Sequence, residues 1–451
     1  MDATHDISDT TTPMSYDVTP VVMTIATRHH VDPSYLRLVS VVNTLLPIIF
    51  GAGVAGNALN AVLLTRRRAS SHHGAASSSG RPTPFERSAT AGLVALSASD
   101  LAFCLVGFAE VLFAGKPQPS SWRAVARLYY DTYYVALMNL FLFSSTWLIA
   151  LVSVERCLAV CYPFRAGALI RVRRTIAAHI VVFAVSALLN VPLFLRSTID
   201  RTVFCRGDIS GNINSTVAGV TTTTATTADD DDDDEDDASC SVIYLRRPST
   251  LTVSRPGLLY VHKVVWFALG TFLPLLLIIC SNVRLIREIF RLRTKSSAAI
   301  TIGGTSSRST SKASLGLDSE RSSTITLTMT LIAIGVCFLL LVCPSMAIQF
   351  WRFASYSSYG GKRLPPPKSR AEAIAIVVTN LTQAVKFSSN FLLYCVVSRS
   401  FRRTFGKLFG ARRCSGRDGY PVENRSAARR ACDAALLDPS PVDNHHADTR
   451  V

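Results

Sequence analysis

The chain has 451 residues, 49% of them hydrophobic and 17% charged, with a formal net charge of +16. A soluble domain carries about a quarter charged residues, and here the apolar residues are clumped into nearly uncharged stretches of about 20, the length a helix needs to cross hydrocarbon. Composition therefore excludes an ordinary water-soluble domain, and the placement of the basic residues argues against a nucleic-acid surface as the reason for the charge.

Residues 1–38 are mixed polar, and their longest apolar run, Val21-Val22-Met23, is too short for the core of a secretory signal. They are expected to form an extracellular N-terminus, with the first span acting as its own insertion signal. Seven apolar windows follow: 39–64, 88–113, 125–154, 175–195, 258–285, 326–350 and 371–397. Each is expected to be a helix, because a backbone in lipid must satisfy its own hydrogen bonds.

The connections carry the orientation. Arg66-Arg67-Arg68 follow the first window; Arg165, Arg171, Arg173 and Arg174 the third; Arg284, Arg287, Arg291, Arg293 and Lys295 the fifth; Arg399, Arg402, Arg403 and Lys407 the seventh. The positive-inside rule places these alternate connections in the cytoplasm and the N-terminus outside. The first inner connection, 66–87, is rich in Ser, Gly and His and is expected to be flexible. The third, 288–324, is rich in Ser, Thr and Arg; it is expected to be disordered alone and to offer kinases sites such as Ser309, Ser322 and Ser323. The second outer connection, 197–257, holds a Thr-rich stretch, nine consecutive acidic residues (Asp229–Asp237) and the glycosylation acceptor Asn214-Ser215-Thr216. The same pattern at Asn380, inside a span, and at Asn424, in the tail, is expected to be inert.

Eleven cysteines show no metal-ligand spacing, and no metal or cofactor is expected. Cys104, Cys280, Cys337, Cys343 and Cys395 lie within spans as small apolar fillers. Cys205 and Cys240 share the second outer connection, where a disulfide can form; two free thiols are the alternative.

Ionisable groups within spans are costly and mark function by default. Asp100 lies mid-way along the second window and Glu110 near its outer end. Glu155 and Arg156 close the third at its cytoplasmic end, Lys386 lies one turn before Asn390 in the seventh, and Asn57 lies in the first. Singly, each reads as a structural contact between helices, worth about 1 kcal/mol. As a set spaced one per helix, they read as a functional network.

These residues resemble the class A, rhodopsin-like G-protein-coupled receptors over residues 39–410. The resemblance rests on Gly56-Asn57, Leu96 to Asp100, Ser153-Val154-Glu155-Arg156-Cys157 with Tyr162-Pro163, and Pro192, Pro274 and Pro344. Phe338, Asn390-Phe391-Leu392-Leu393-Tyr394 and Phe401-Arg402-Arg403-Thr404-Phe405 complete it. It implies an all-α seven-transmembrane bundle over 39–397, then a short amphipathic helix on the inner membrane face and a cytoplasmic tail over 398–451. Within the class, Ser389 to Cys395, Ser186 to Pro192 and the Phe-Arg-Arg-Thr-Phe ending look most like neuropeptide receptors of the FMRFamide-receptor type.

By the same resemblance, Glu155 holds Arg156 inactive. Arg156, Tyr394, Asn390, Pro344 and Phe338 serve the activation switch and the G-protein pocket, and Asp100 and Ser145 belong to a sodium site. The chain departs from the pattern at Asp131 (a bridging cysteine in the family), Phe183, Val342 (the toggle tryptophan), Asn282 and Phe391 (proline). Without a cysteine at 131, Cys240 is free to pair with Cys205. The Lys386 ammonium is expected to pair with Asp100 and take the place of the ion, or else to face a water pocket. Ala384 stands where an opsin carries its retinal lysine, and Met138 where an amine receptor carries its aspartate. A cationic, amidated peptide is the expected ligand, with Glu110 as partner for its cation and the acidic run attracting it, unless that run is a solvated spacer.

The implied partners are that peptide, a heterotrimeric G protein, arrestin, kinases and membrane lipid, and no nucleic acid, at the plasma membrane. Cys414 is positioned for lipidation. Two other classes compete: a receptor-like protein with lost coupling, and a transporter, whose repeats and broken helices the sequence does not show. His179 alone in the fourth span makes no enzyme site.

Overall fold

The computed structural model describes residues 33–73, 84–110, 122–205, 226–227, 240–250, 254–302, 313–358, 370–397, 401–402 and 405–406. The helices are α1 (Pro33–His73), α2 (Pro84–Ala109), α3 (Trp122–Cys161), a short α4 (Pro163–Leu169) and α5 (Val172–Phe194). They continue with α6 (Pro256–Phe267), α7 (Leu273–Ile302), α8 (Ala313–Ser358) and α9 (Arg370–Val397). A π-helical turn, Ala268–Phe272, joins α6 to α7, so the two make one rod. Spans one to seven are therefore α1, α2, α3, α5, α6–α7, α8 and α9, a seven-helix bundle.

Six stretches are long and apolar enough to cross a membrane: Pro33–Arg66, Phe85–Ala109, Trp122–Cys161, Val172–Phe194, Gly257–Arg291 and Thr328–Ala354. The seventh, α9, is more polar because it turns Gln383, Lys386 and Asn390 into the bundle, where all three are buried. Large apolar side chains face outward instead, with Leu188 and Leu340 each 69% exposed and Ile180 64%. A water-soluble bundle would show the reverse, so the outer surface is lipid-facing and the chain is a multi-pass membrane protein.

Two expectations about connections need correction. Helix α1 runs on to His73, α7 to Ile302, and α8 begins at Ala313, so much of 66–87 and 288–324 is helical rather than flexible. The physical reason is that a helix leaving the membrane keeps its internal hydrogen bonds until a stop signal, and Gly74 and Gly303-Gly304 are the first such signals. The connection between spans four and five contains a β-hairpin: β1 (Ser197–Cys205) pairs antiparallel with β3 (Cys240–Pro248), and β2 (Thr226–Thr227) adds to β3, in the order β1-β3-β2. Thr198, Ile199, Thr202, Val203, Val242, Ile243 and Tyr244 supply the β-branched and aromatic residues that favour strands. Asn214, Asp229–Asp237, Ser309 and Cys414 lie outside the described residues.

The π turn has a local cause. Within it the Leu273 N–H bonds the Ala268 carbonyl, so the Leu269 carbonyl would next take a donor from residue 274, which is proline and has none. Trp147 of span three fills the gap, its indole N–H donating to the Leu269 carbonyl at 2.9 Å. A Cβ on Gly270 would come within 2.5 Å of the Phe143 ring, so glycine is needed where the two spans approach.

Candidate functional site: the polar core of the bundle

At mid-depth, spans two, three and seven bring Asp100, Ser145, Lys386 and Asn390 together. The Ser145 hydroxyl donates to Asp100 Oδ1 at 2.6 Å. The Lys386 ammonium donates to the Ser145 oxygen at 2.9 Å and lies 3.3 and 3.4 Å from the two Asp100 carboxylate oxygens. The Asn390 amide donates to Asp100 Oδ2. The Asp100 and Lys386 side chains are 0% and 1% exposed. The ammonium also sits 5.7 Å from the Phe338 ring centroid, within cation–π range. Asn57 joins from span one by donating to the Phe387 carbonyl at 2.8 Å, next to Lys386.

The sodium ion implied by the resemblance does not fit this cluster. The oxygens that would hold it already face a fixed ammonium, and a second cation in so little space would be repelled by the first.

At the basic end of the bundle the expected Glu155–Arg156 pair is absent. Both side chains are described and they are not ion-paired. Glu155 instead accepts from Ser88 at 3.0 Å and from Thr175 at 2.9 Å, which ties span three to spans two and four. The physical reason is direction: neighbouring residues on a helix point about 100° apart, so Glu155 and Arg156 reach different neighbours. Arg156, 2% exposed, donates to the Phe85 carbonyl of span two.

Tyr394 is buried and stacks on Phe401, with ring centroids 5.5 Å apart. Phe391, at the family's proline position, packs on Phe401 and Phe405 at 5.9 and 5.8 Å. The amphipathic segment thus docks on span seven through aromatic rings. Pro344 lies inside α8, and the Thr382 hydroxyl donates to the Leu341 carbonyl in the turn before it, at 3.0 Å.

At the opposite end, Glu110 is not waiting for a ligand cation: Arg127 pairs with it at 2.7 Å and with Asp131 at 2.9 Å. The cause is spacing, since Arg127 and Asp131 are four apart on one helix face and Glu110 ends the adjacent span. Met138 is partly buried against the main apolar core. Among the described residues no cluster of His, Cys, Asp and Glu suits a metal.

Sequence reasoning missed Ser88, Thr175, Arg127 and Trp147. The signals were present but weak: a hydroxyl at the basic end of spans two and four, a cation four residues before Asp131, and one tryptophan in the middle of span three.

A sequence profile of the 7 transmembrane receptor (rhodopsin family) matches residues 86–224, less than half of the chain and running from span two through span four into the hairpin connection. No curated protein matches the chain.

Proposed function

We propose that the chain is a class A, rhodopsin-like receptor of the plasma membrane. Residues 1–38 and the hairpin connection lie outside, 39–397 form the receptor domain, and the basic ends and residues 398–451 face the cytoplasm. It senses an extracellular peptide, of the cationic, amidated neuropeptide type, and passes the signal to a heterotrimeric G protein, with kinases and arrestin acting on the cytoplasmic segments. The observation that carries this reading is the basic end of the bundle: Arg156 is buried against span two, and Glu155 is bound to Ser88 and Thr175. That arrangement is a two-state element. Breaking the one carbonyl bond to span two frees the guanidinium toward a cytoplasmic partner, and ligand binding outside biases which state is populated.

The case for a cationic ligand rests on Asp229–Asp237, because Glu110 is held by Arg127. Field-driven attraction by nine carboxylates raises the association rate and weakens with salt. Asn214, on the same connection, is the expected glycosylation site.

The test is a screen of amidated peptides for G-protein activation in cells displaying the chain. Arg156→Ala is expected to abolish activation while surface display and peptide binding persist. Replacing Asp229–Asp237 by Ser/Gly is expected to lower potency most at low salt; unchanged potency there rejects the steering role. Silence of the unmodified chain toward every G-protein family supports the second reading, a receptor-like protein that has lost coupling, which Val342 and Phe391 at the tryptophan and proline positions favour.

A further inference from the structure

The family's link between span three and the outer connection is a disulfide, and residue 131 here is an aspartate. The structure puts charge in its place. Asp131 and Glu110 share Arg127, which fastens span three to span two. Arg246 of β3 lies close enough to act on the charge of Asp131. The hairpin touches span three through β3, with an aspartate at 131 in place of the family's cysteine.

Those cysteines occupy matched positions. Cys205 is the last residue of β1, Cys240 the first of β3, and the antiparallel register places them opposite each other on the final rung of the ladder. Directly opposed residues of an antiparallel pair have Cα atoms about 4.5–5.5 Å apart, inside the span a disulfide bridges, about 4.4–6.8 Å. Competing thiols are distant in the fold. Cys104, Cys157, Cys161, Cys280, Cys337, Cys343 and Cys395 are free thiols within the helices. Cys414 and Cys432 follow span seven, on the other side of the membrane in the proposed topology.

We infer that Cys205 and Cys240 form a disulfide that closes residues 206–239, with the acidic run and Asn214, into a covalent ring. The inference rests on the proposed orientation, which exposes the loop to an oxidising compartment. The two thiols give two protons and two electrons to the disulfide of a lumenal thiol–disulfide oxidoreductase, which leaves as its dithiol. The bridge stops the end rung from fraying and ties the two ends of segment 206–239 to each other.

The test uses the full chain from cells, alkylated with N-ethylmaleimide before lysis and mapped by non-reducing peptide mass spectrometry. A second form carries a site-specific protease sequence within 206–239. The expected result is a Cys205–Cys240 linked peptide. Cut halves of the second form should run as one band in denaturing gels without reductant and as two with it; Cys205→Ser or Cys240→Ser should separate them without reductant. Alkylated Cys205 and Cys240 on a chain glycosylated at Asn214 would overturn the bridge and leave the orientation standing, as would a link from either residue to another cysteine. An unglycosylated loop that protease reaches only in permeabilised cells would overturn the orientation, and the bridge with it.

Discussion

At mid-depth, the Asp100 carboxylate receives donors from Ser145, Lys386 and Asn390, so its buried charge is fully engaged, and Asn57 Oδ1 is the atom of that cluster without a partner among the described residues. Toward the basic end, Asn60, Asn282, Tyr394 and Arg156 are equally buried. Yet both side-chain polar atoms of Asn60 and Asn282, the Tyr394 hydroxyl and Arg156 Nε have no hydrogen-bond partner among the described residues. A satisfied cluster resists rearrangement, because any movement strips charges of their partners in a low-dielectric interior. A cluster with spare donors and acceptors gains bonds by moving. The bundle thus has a fixed middle and a poised end, and under the proposed function the difference tells which part changes between the two states.

The sharpest way to break this contrast is to uncharge the middle. Lys386→Met leaves the Asp100 carboxylate buried without its cation and is expected to cost about 3–5 kcal/mol, read as a large fall in detergent melting temperature and in surface display. Asp100→Asn with Lys386→Met removes both charges and should recover most of that loss; if the double variant is as unstable as the single, the pair is not what holds the middle together. At the poised end, Ser88→Ala with Thr175→Val releases Glu155. It should cost about 1 kcal/mol of stability and raise basal G-protein signalling about fivefold, as a shift of that size moves a two-state population. Basal signalling at the wild-type level would show that Glu155 does not restrain the inactive state. Tyr394→Phe removes a partnerless hydroxyl, so melting should move by less than about 0.5 kcal/mol while agonist-driven signalling falls. The smallest effect is expected from sodium: agonist affinity should be the same in sodium chloride as in an organic-cation chloride of equal ionic strength. Marked sodium sensitivity abolished by Asp100→Asn would mean that an ion, and not Lys386, occupies the middle.

The middle was legible because its signal is local: one costly residue per apolar window, each at a similar depth. Lys386 facing Asp100 needed only the assumption that buried charges pair. The poised end was less legible. Glu155 and Arg156 are adjacent in sequence, which invites pairing, but rotation along the helix sends Glu155 to Ser88 and Thr175, partners 67 and 20 residues away. Glu110 misled for the same reason, since Arg127 lies in a different span. The hairpin had its cue in the strand-forming residues around Cys205 and Cys240, but the Thr-rich and acidic stretches between them hid the register.

The π turn in span five sets the phase of everything below it. One residue added to a helical turn rotates the rest of the helix by about 100° relative to an unbroken rod. Asn282 and Leu285 owe their inward aim to that single extra step, and a Cβ on Gly335 of span six would collide with the Asn282 amide. Deleting one residue within 268–272 would give a more regular helix and a misaligned one, with Asn282 swung off span six. The irregularity acts as a clutch setting between the two halves of the span, held in place by the indole of Trp147.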